Sequence, residues 1–227
     1  MPQRTLGTLT IGQAPRPDVV PIIDRHVTAS VRRVHHGVLD GLPHAEIAAR
    51  YGAESGQPAL VTRLQDGSVV ELSRARMRDG VQRSLAALEA EGCDVILLLC
   101  TGTFDGLVCD RAWLVEPDHI IPGMVAGLIE HRQLGIIVPI AGQIESEAGK
   151  WRGLARPPIF ATASPYASPP EAVSDAGATL KSRGAEAILL DCIGFTERHR
   201  GALSGLALPV ILSNAVVAKA VGELLGG

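Results

Sequence analysis

Two cysteines stand at the ends of two similar apolar runs, and they are the residues of this chain best suited to chemistry. Cys100 ends a run that begins at Asp94, and Cys192 ends a run that begins at Glu186. A glycine stands two residues before each run, and another stands two residues after each thiol. A thiol that has lost its proton is a base and a nucleophile. These two thiols are therefore the candidate reactive groups of the chain.

The other two cysteines, Cys93 and Cys109, are more typical of packing than of chemistry, because cysteine is among the most buried residue types. No two cysteines have C-x-x-C spacing, and no histidines are spaced with them as zinc ligands. A disulfide is not expected in a reducing compartment. We therefore predict no metal and no cofactor. A packing role is also the alternative reading for Cys100 and Cys192.

The apolar runs also indicate the fold. Each follows a helical pattern that stops at a glycine, which is typical of a strand in a parallel sheet covered on both faces. Strand and helix patterns alternate, and the half that begins at Leu134 repeats the half that begins at Leu6. We predict an α/β fold of two pseudo-symmetric Rossmann-like lobes with parallel sheets. Ligands of such sheets bind beyond the carboxyl ends of the strands, where both thiols fall.

The first half is longer because it carries an insertion at about residues 41–72. A helical pattern at Pro43–Tyr51 is followed by alternating residues around Asp66-Gly67, a strong β-hairpin signal. We predict an N-terminal lobe of residues 1–115 and 213–227 and a C-terminal lobe of residues 116–212. The insertion is either a lid or an oligomer contact, and its hairpin edge makes a homo-oligomer plausible.

Some predicted elements depend on local signals. Asp18 is expected to cap a helix over Val19–His26, and Gln143–Leu154 is predicted as one helix. Cys109–Val115 is predicted as a short connector or strand. Asn214 lies at the start of the final helix, where it either caps the helix or contacts a ligand.

Composition excludes several classes of function. The chain is 46% hydrophobic and 20% charged with a net charge of -3, so nothing favours a nucleic acid or an anionic membrane as partner. The uncharged stretch from Gly201 to Ala218 is interrupted by Pro209, so we predict no membrane span. The N-terminus does not resemble a signal peptide, and the expected location is the cytoplasm. The glycines match neither dinucleotide-binding nor P-loop motifs.

Several segments along nearly the whole chain resemble the AroM family, within the aspartate/glutamate/hydantoin racemase superfamily. They are Thr10-Ile11-Gly12-Gln13, Asp94–Leu98, Gly135–Pro139, Leu190–Phe195, Arg198-His199-Arg200 and Leu212-Ser213-Asn214. The resemblance implies the two-lobed fold and a cofactor-independent reaction. In the superfamily, one thiolate removes a proton beside a carboxylate or carbonyl, and the opposite thiol returns one from the other face. The activity of the AroM family itself is not established.

The resemblance implies catalytic roles for Cys100 and Cys192 and a binding role for the neighbouring loops. The predicted substrate-binding residues are Gln13, Arg16, Thr101, Gly102, Thr103, Ile193, Gly194, Phe195 and Asn214. Asp191 stands directly before Cys192, and an ionised carboxylate close to the thiol would raise its pKa.

The sequence therefore predicts a cofactor-independent racemase or isomerase of a small carboxylate or cyclic amide. Two alternatives stay open. One is a protein that binds a small carboxylate-bearing metabolite without turnover, and the other is a one-thiol decarboxylase or lyase. Arg16 beside two prolines is equally consistent with a solvated loop charge.

Overall fold

The computed structural model describes residues 3–169 and 171–226 of the chain. Within these residues the backbone forms two four-stranded parallel sheets and one antiparallel hairpin, with helices around them. The predicted α/β fold of two pseudo-symmetric lobes with an insertion in the first is confirmed. The predicted lobes also include residues 1, 2, 170 and 227, which lie outside the described residues.

The first half of the described chain contains six strands and three helices. They are β1 (Thr5–Thr10), α1 (Val20–Ile23), β2 (Arg32–Gly37), α2 (His44–Tyr51), β3 (Ala59–Arg63), β4 (Val69–Ser73), α3 (Arg74–Ala90), β5 (Val95–Leu99) and β6 (Trp113–Val115). The second half contains the remaining elements. They are α4 (Pro117–Ile129), β7 (Leu134–Val138), α5 (Gly142–Ser146), β8 (Ile159–Thr162), α6 (Ala172–Ser182), β9 (Ala187–Leu190), α7 (Glu197–Ala202), β10 (Val210–Leu212) and α8 (Ser213–Leu225).

The two sheets have equivalent strand orders. The first runs β2-β1-β5-β6 and the second runs β8-β7-β9-β10. Strands β1, β5, β7 and β9 are buried along their whole length, because helices cover both faces of each sheet. This burial explains the continuous apolar runs, since a strand covered on both faces has no polar side. Because β5 and β9 occupy equivalent positions, the loops after them also lie at equivalent positions.

The last helix joins the two sheets. Helix α8 follows β10 of the second sheet, yet it also packs against β5 of the first sheet and against α1 and α4. Val216, Val217, Val221 and Leu225 of α8 belong to one apolar core that includes residues of both sheets. This packing is consistent with the predicted grouping of residues 213–227 with the N-terminal lobe, and the lobe boundaries stay a prediction.

The insertion consists of α2 and a hairpin of β3 and β4. The hairpin pairs Leu60 with Leu72 and Thr62 with Val70 in antiparallel register. Gly67, at the predicted turn, has a φ of 89°, a left-handed backbone conformation that glycine adopts without a steric penalty. The predicted β-hairpin is therefore present with its turn at Asp66-Gly67.

Two helices are shorter than predicted. Helix α1 covers only Val20–Ile23 and lacks a side-chain cap, because its N-cap residue is Val19. The carboxylate of Asp18 is paired with Arg16 instead. The predicted helix at Gln143–Leu154 ends at Ser146, and a 3₁₀ turn follows at residues 148–151. Glu147 and Gly149 lie where the helix breaks. Glycine destabilises the interior of a helix. The Glu147 side chain is buried in an ion-pair network.

The uncharged stretch at residues 201–218 is not one long helix. It is divided among the end of α7, strand β10 and the start of α8. None of the helices in residues 3–169 and 171–226 combines the length and apolar character needed to cross a membrane.

Candidate active site

Cys100 and Cys192 lie in equivalent loops, directly after β5 and just after β9. Each sulfur accepts a backbone N–H from a glycine two residues later. The N–H of Gly102 lies 3.4 Å from Cys100 Sγ, and that of Gly194 lies 3.5 Å from Cys192 Sγ. The pseudo-symmetry of the sheets therefore extends to the hydrogen bonds of the two thiols.

Both thiols line one small, partly open cavity at the carboxyl ends of the strands. The space open to the centre of a water-sized sphere is about 20 Å³, which holds about one water molecule. Six predicted site residues line it: Arg16, Cys100, Thr101, Gly102, Cys192 and Ile193. Much of the remaining wall is apolar: Ile11, Leu60, Val61, Leu99 and Pro139. The fold thus brings the two thiols to the same small cavity.

The hairpin insertion covers this cavity. Leu60, Val61 and Thr62 of β3 line it, and two glycines leave the space that these side chains occupy. A methyl group on Gly102 would lie 2.5 Å from Leu60 Cδ2, and one on Gly12 would overlap the Thr62 hydroxyl. A ligand larger than water can therefore enter only when the walls move. The hairpin forms part of the cavity wall, and its role as a lid or an oligomer contact stays a prediction.

Polar contacts attach the insertion to the second half of the chain. Gln143 Nε2 donates to the carbonyl of Ala59 at 3.4 Å. Arg74, which follows β4 directly, pairs with Glu147 at 3.1 Å. The Thr62 hydroxyl is buried and has no hydrogen-bond partner among the described residues. Thr62 thus contributes an unpartnered hydroxyl next to the cavity.

A chain of polar contacts leads from Arg16 to Cys192. The guanidinium of Arg16 donates to Asp18 at 2.6 and 2.8 Å and to the Tyr166 hydroxyl at 3.0 Å. The Tyr166 oxygen lies 3.9 Å from Cys192 Sγ. Burial by itself lowers the pKa of Arg16, but Tyr166 and Asp18 outweigh it and raise the pKa, so the guanidinium stays charged. Arg16 is 5% exposed and is not a solvated loop charge.

A buried lysine lies behind the Cys100 loop. Lys150 Nζ pairs with Asp191 at 2.7 Å, lies 3.8 Å from Glu147 and donates to the carbonyl of Thr101 at 3.0 Å. Desolvation lowers the pKa of Lys150, but Asp191 and Glu147 outweigh it and raise the pKa. Burial raises the pKa of Cys192 most, and Asp191, which pairs with Lys150, raises it further by a smaller amount.

Burial is the main reason why the pKa of each thiol lies above its ordinary value. At Cys100 the N–H of Gly102 and the charge of Lys150 act in the opposite direction. At Cys192 three groups act in the opposite direction: the Gly194 N–H, Arg16 and the Tyr166 hydroxyl. Both thiols are therefore protonated at neutral pH while the cavity is closed. Cys192 has the surroundings that better stabilise a thiolate.

Three predicted site residues support the Cys192 loop and do not line the cavity. Asn214 is 1% exposed, and its Nδ2 donates to the carbonyls of Ile193 at 2.9 Å and Phe195 at 2.5 Å. It is not the N-cap of α8, because the helix begins at Ser213 and Leu212 precedes it. Phe195 is fully buried in the core. Gly194 packs so closely against Tyr166 that a Cβ would overlap the ring.

Two further predicted residues lie outside the cavity wall. Gln13 accepts the N–H of Gln65 at 3.0 Å and donates to the carbonyl of Leu39, so it attaches the hairpin turn to the loop after β1. The Thr103 hydroxyl lies 3.5 Å from Glu147. Direct contact of these residues with a ligand stays a prediction.

Several residues at the cavity were missed by sequence reasoning. Thr62 and Leu60 belong to the insertion, which had no assigned place relative to the thiols. Tyr166 had a weak signal, because it is a tyrosine in a proline-rich loop after a strand, in a chain with only 3% aromatic residues. Lys150 had none, because its sequence neighbours read as an ordinary helix.

The fold is shared with several solved enzyme structures. A glutamate racemase from Francisella tularensis subsp. tularensis SCHU S4, solved with D-glutamate, has a TM-score of 0.65 and 11% identity; the alignment covers 99% of this chain and 81% of that chain. An allantoin racemase from Pseudomonas fluorescens has a TM-score of 0.60 and 14% identity over 98% of this chain and 90% of that chain. An unliganded arylmalonate decarboxylase has a TM-score of 0.60 and 12% identity over 99% and 93%.

These similarities establish an Asp/Glu racemase fold. The chain belongs to the AroM family, whose sequence profile, described as AroM protein, matches residues 6–225. The predicted family is thus confirmed over nearly the whole chain. A search of curated protein sequences found no match.

Proposed function

We propose that this protein is a cofactor-independent racemase or isomerase that moves a proton between two faces of one carbon atom. The observation that supports this most strongly is that Cys100 and Cys192, in equivalent loops of two sheets, line the same cavity. Each is held by an equivalent backbone N–H. A pair of thiols around one small space suits a reaction that needs a base on one side and an acid on the other.

In one direction of this reaction, Cys192 is the base. Its thiolate takes the proton from the carbon beside a carboxylate or carbonyl and becomes a thiol, and the electron pair moves into an enolate. Cys100 then donates its S–H proton to the other face of the carbon and is left as a thiolate. The reverse direction exchanges the roles. Cys192 first loses its proton to solvent to give the starting thiolate, and proton exchange of the two thiols with solvent restores this state after each turnover. Cys192 is assigned the first step because Arg16 and Tyr166 stabilise its thiolate.

The enolate needs hydrogen-bond donors, since losing one such donor typically costs about 3–4 kcal/mol of transition-state stabilisation. The guanidinium of Arg16 and the unpartnered hydroxyl of Thr62 are the candidates at the cavity wall. Arg16 is the one cation among the described residues that line this cavity, and Asp18 matches its charge. We therefore propose a substrate with one anionic or carbonyl group. The rest of the substrate is expected to be small and apolar. A small monocarboxylate or a cyclic amide fits this description.

The test is solvent-proton exchange. Single enantiomers of small α-substituted monocarboxylates, dicarboxylates and hydantoin-type cyclic amides are incubated with the enzyme in ²H₂O and followed by ¹H NMR and chiral chromatography. We expect loss of the α-proton signal together with inversion for at least one monocarboxylate or cyclic amide. Cys100→Ala and Cys192→Ala should each abolish inversion.

Cys109→Ala is the matched control, because Cys109 is a half-buried free thiol that does not line the cavity. The Cys109→Ala variant should exchange the α-proton of the substrate at the wild-type rate. Inversion that persists in both single variants at Cys100 and Cys192 would remove the thiols from the mechanism. A compound that raises the melting temperature without any exchange would instead support a binding protein without turnover.

A one-thiol decarboxylase is the second candidate, and the apolar wall of Ile11, Val61 and Leu99 favours it. A carboxylate placed against apolar side chains is poorly solvated, so its loss as CO₂ is favoured there. Release of CO₂ from 2-substituted malonates, lost in one of the two Cys→Ala variants and kept in the other, would support this reaction over racemisation.

A further inference from the structure

A second cluster of functional side chains lies at the start of α4, directly after edge strand β6. Glu116, Asp118 and His119 each present one ligand atom, and these atoms all lie within 4.8 Å of one another. The two acids are buried, with 7% and 9% of their surface exposed, whereas the His119 side chain is 67% exposed. The cluster contains none of the residues that line the thiol cavity.

Each carboxylate has one buried oxygen that lacks a hydrogen-bond partner among the described residues, although Asp118 also has a side-chain hydrogen bond with Thr103. Glu116 Oε2 and Asp118 Oδ1 have no hydrogen-bond partner within the described part of the chain. The other oxygen of Glu116 lies 3.5 Å from His119 Nδ1, a distance too long for a strong hydrogen bond. The buried Lys150 is already paired with Asp191 and Glu147. A buried carboxylate oxygen without a partner is costly, so a group outside the described part of the chain is expected to satisfy these two oxygens.

We propose that Glu116, Asp118 and His119 form a binding site for one divalent cation of the Mn²⁺ or Zn²⁺ class. Two carboxylate oxygens and one imidazole nitrogen match the ligand preferences of these ions, whereas Ca²⁺ and Mg²⁺ favour sites built from oxygen alone. Because His119 is exposed, the outer side of the ion stays open to water ligands. The sequence does not reveal the site, since these residues are nearly consecutive and match no standard ligand spacing.

An ion at this position would tie the end of β6 to the first turn of α4. Glu116 precedes the helix and Asp118 lies in its first turn, so both carboxylates approach the ion from the same short segment. The proposal does not depend on the function proposed for the thiols.

The test uses the full-length protein after treatment with EDTA and dialysis. Mn²⁺ binding is followed by electron paramagnetic resonance of the free ion, and Zn²⁺ binding is followed by calorimetry. We expect one ion per chain and a higher melting temperature with the ion. Asp118→Asn and Glu116→Gln should each weaken binding at least tenfold, and His119→Ala should weaken Zn²⁺ binding more than Mn²⁺ binding.

Glu130→Gln is the control, because Glu130 lies beside His131 in an exposed pair outside the cluster. It should bind both ions like the wild type. Absence of saturable binding of either ion up to millimolar concentration would overturn the proposal. Unchanged ion affinity in Asp118→Asn would also overturn the proposal, as would an equal loss of ion affinity in the Glu130→Gln control.

If the protein binds no ion and Glu116→Gln stabilises it, the two acids share a proton instead. Circular dichroism confirms folding, and exposed His119 gives a variant that does not disturb the core.

Discussion

The replacement Gly102→Ala tests whether the hairpin controls access to the thiols. The new methyl group would lie 2.5 Å from Leu60 Cδ2 and 3.5 Å from Cys100 Sγ. The first distance is too short for carbon atoms, and Leu60 is 1% exposed and tightly surrounded. Either Leu60 rotates against its neighbours or the hairpin moves away from the cavity.

The magnitude follows from the cost of overpacking, which is typically about 1–3 kcal/mol in a buried site. If lifting the hairpin relieves all of this strain, the open state becomes more populated by the same free energy. One factor of ten corresponds to about 1.4 kcal/mol, so the open population rises by about 5- to 150-fold. Opening also hydrates the thiols, which removes the main cause of their raised pKa.

The assay is alkylation by iodoacetamide at fixed pH, with each cysteine followed by peptide mass spectrometry. We expect Cys100 and Cys192 to react faster in Gly102→Ala by up to that factor. Cys93 and Cys109 are internal controls, since neither lines the cavity, and their rates should not change. Leu60→Ala in the Gly102→Ala background gives the added methyl group space, so the double variant should lose less stability than the sum of the losses in the two single variants.

The two measurements together decide the outcome. A loss of stability with unchanged alkylation of Cys100 and Cys192 would refute the reasoning, because the strain would then be relieved without opening. Faster alkylation of all four cysteines would indicate general unfolding and not a movement of the hairpin.

Three further predictions follow from the charges of the site and the helix ends. Tyr166→Phe removes a hydroxyl that lowers the pKa of Cys192, so the pH–rate profile for alkylation of Cys192 should shift to higher pH. An unchanged profile would show that the Tyr166 hydroxyl does not affect the pKa of this thiol. Lys150→Met leaves Asp191 buried without its cation and should lower the free energy of unfolding by about 3–5 kcal/mol in denaturant titrations, and adding Asp191→Asn should restore part of the loss. His199 Nδ1 accepts a backbone N–H at the start of α7, and burial lowers its pKa below the ordinary 6.5. The unfolded chain therefore binds more protons as the pH falls below about 6.5, so stability should decrease from pH 7 to pH 5, and His199→Gln should reduce this decrease.

Much of the fold can be predicted from the sequence because it depends on local patterns. The runs that end at Cys100 and Cys192 are apolar throughout, which identifies strands covered on both faces. Asp66-Gly67 identifies the hairpin because a tight turn needs a backbone conformation that glycine adopts easily. The failures are also local. Asp18 has the right residue type for a cap, but its carboxylate is held by Arg16 in the folded protein.

The candidate site is predicted only where it lies on the strands. The thiols are identified because they follow equivalent strands, and the sheet fixes the position of the loop after each strand. Thr62 and Leu60 cannot be assigned to the cavity, because the position of an insertion depends on contacts with distant glycines. Tyr166 and Lys150 contact the thiol loops from distant segments of the chain, and no spacing of residues along the sequence predicts these contacts.

The sequence alone thus determines two parallel sheets, their order along the chain and a thiol at the end of one strand in each. Periodicity and turn residues act over a few positions, so they are readable without the fold. The tertiary structure decides that the thiols share a cavity of water size, that the hairpin covers it and that Lys150 matches the charge of Asp191. These features depend on burial and on side chains brought together from distant segments, and only packing specifies them.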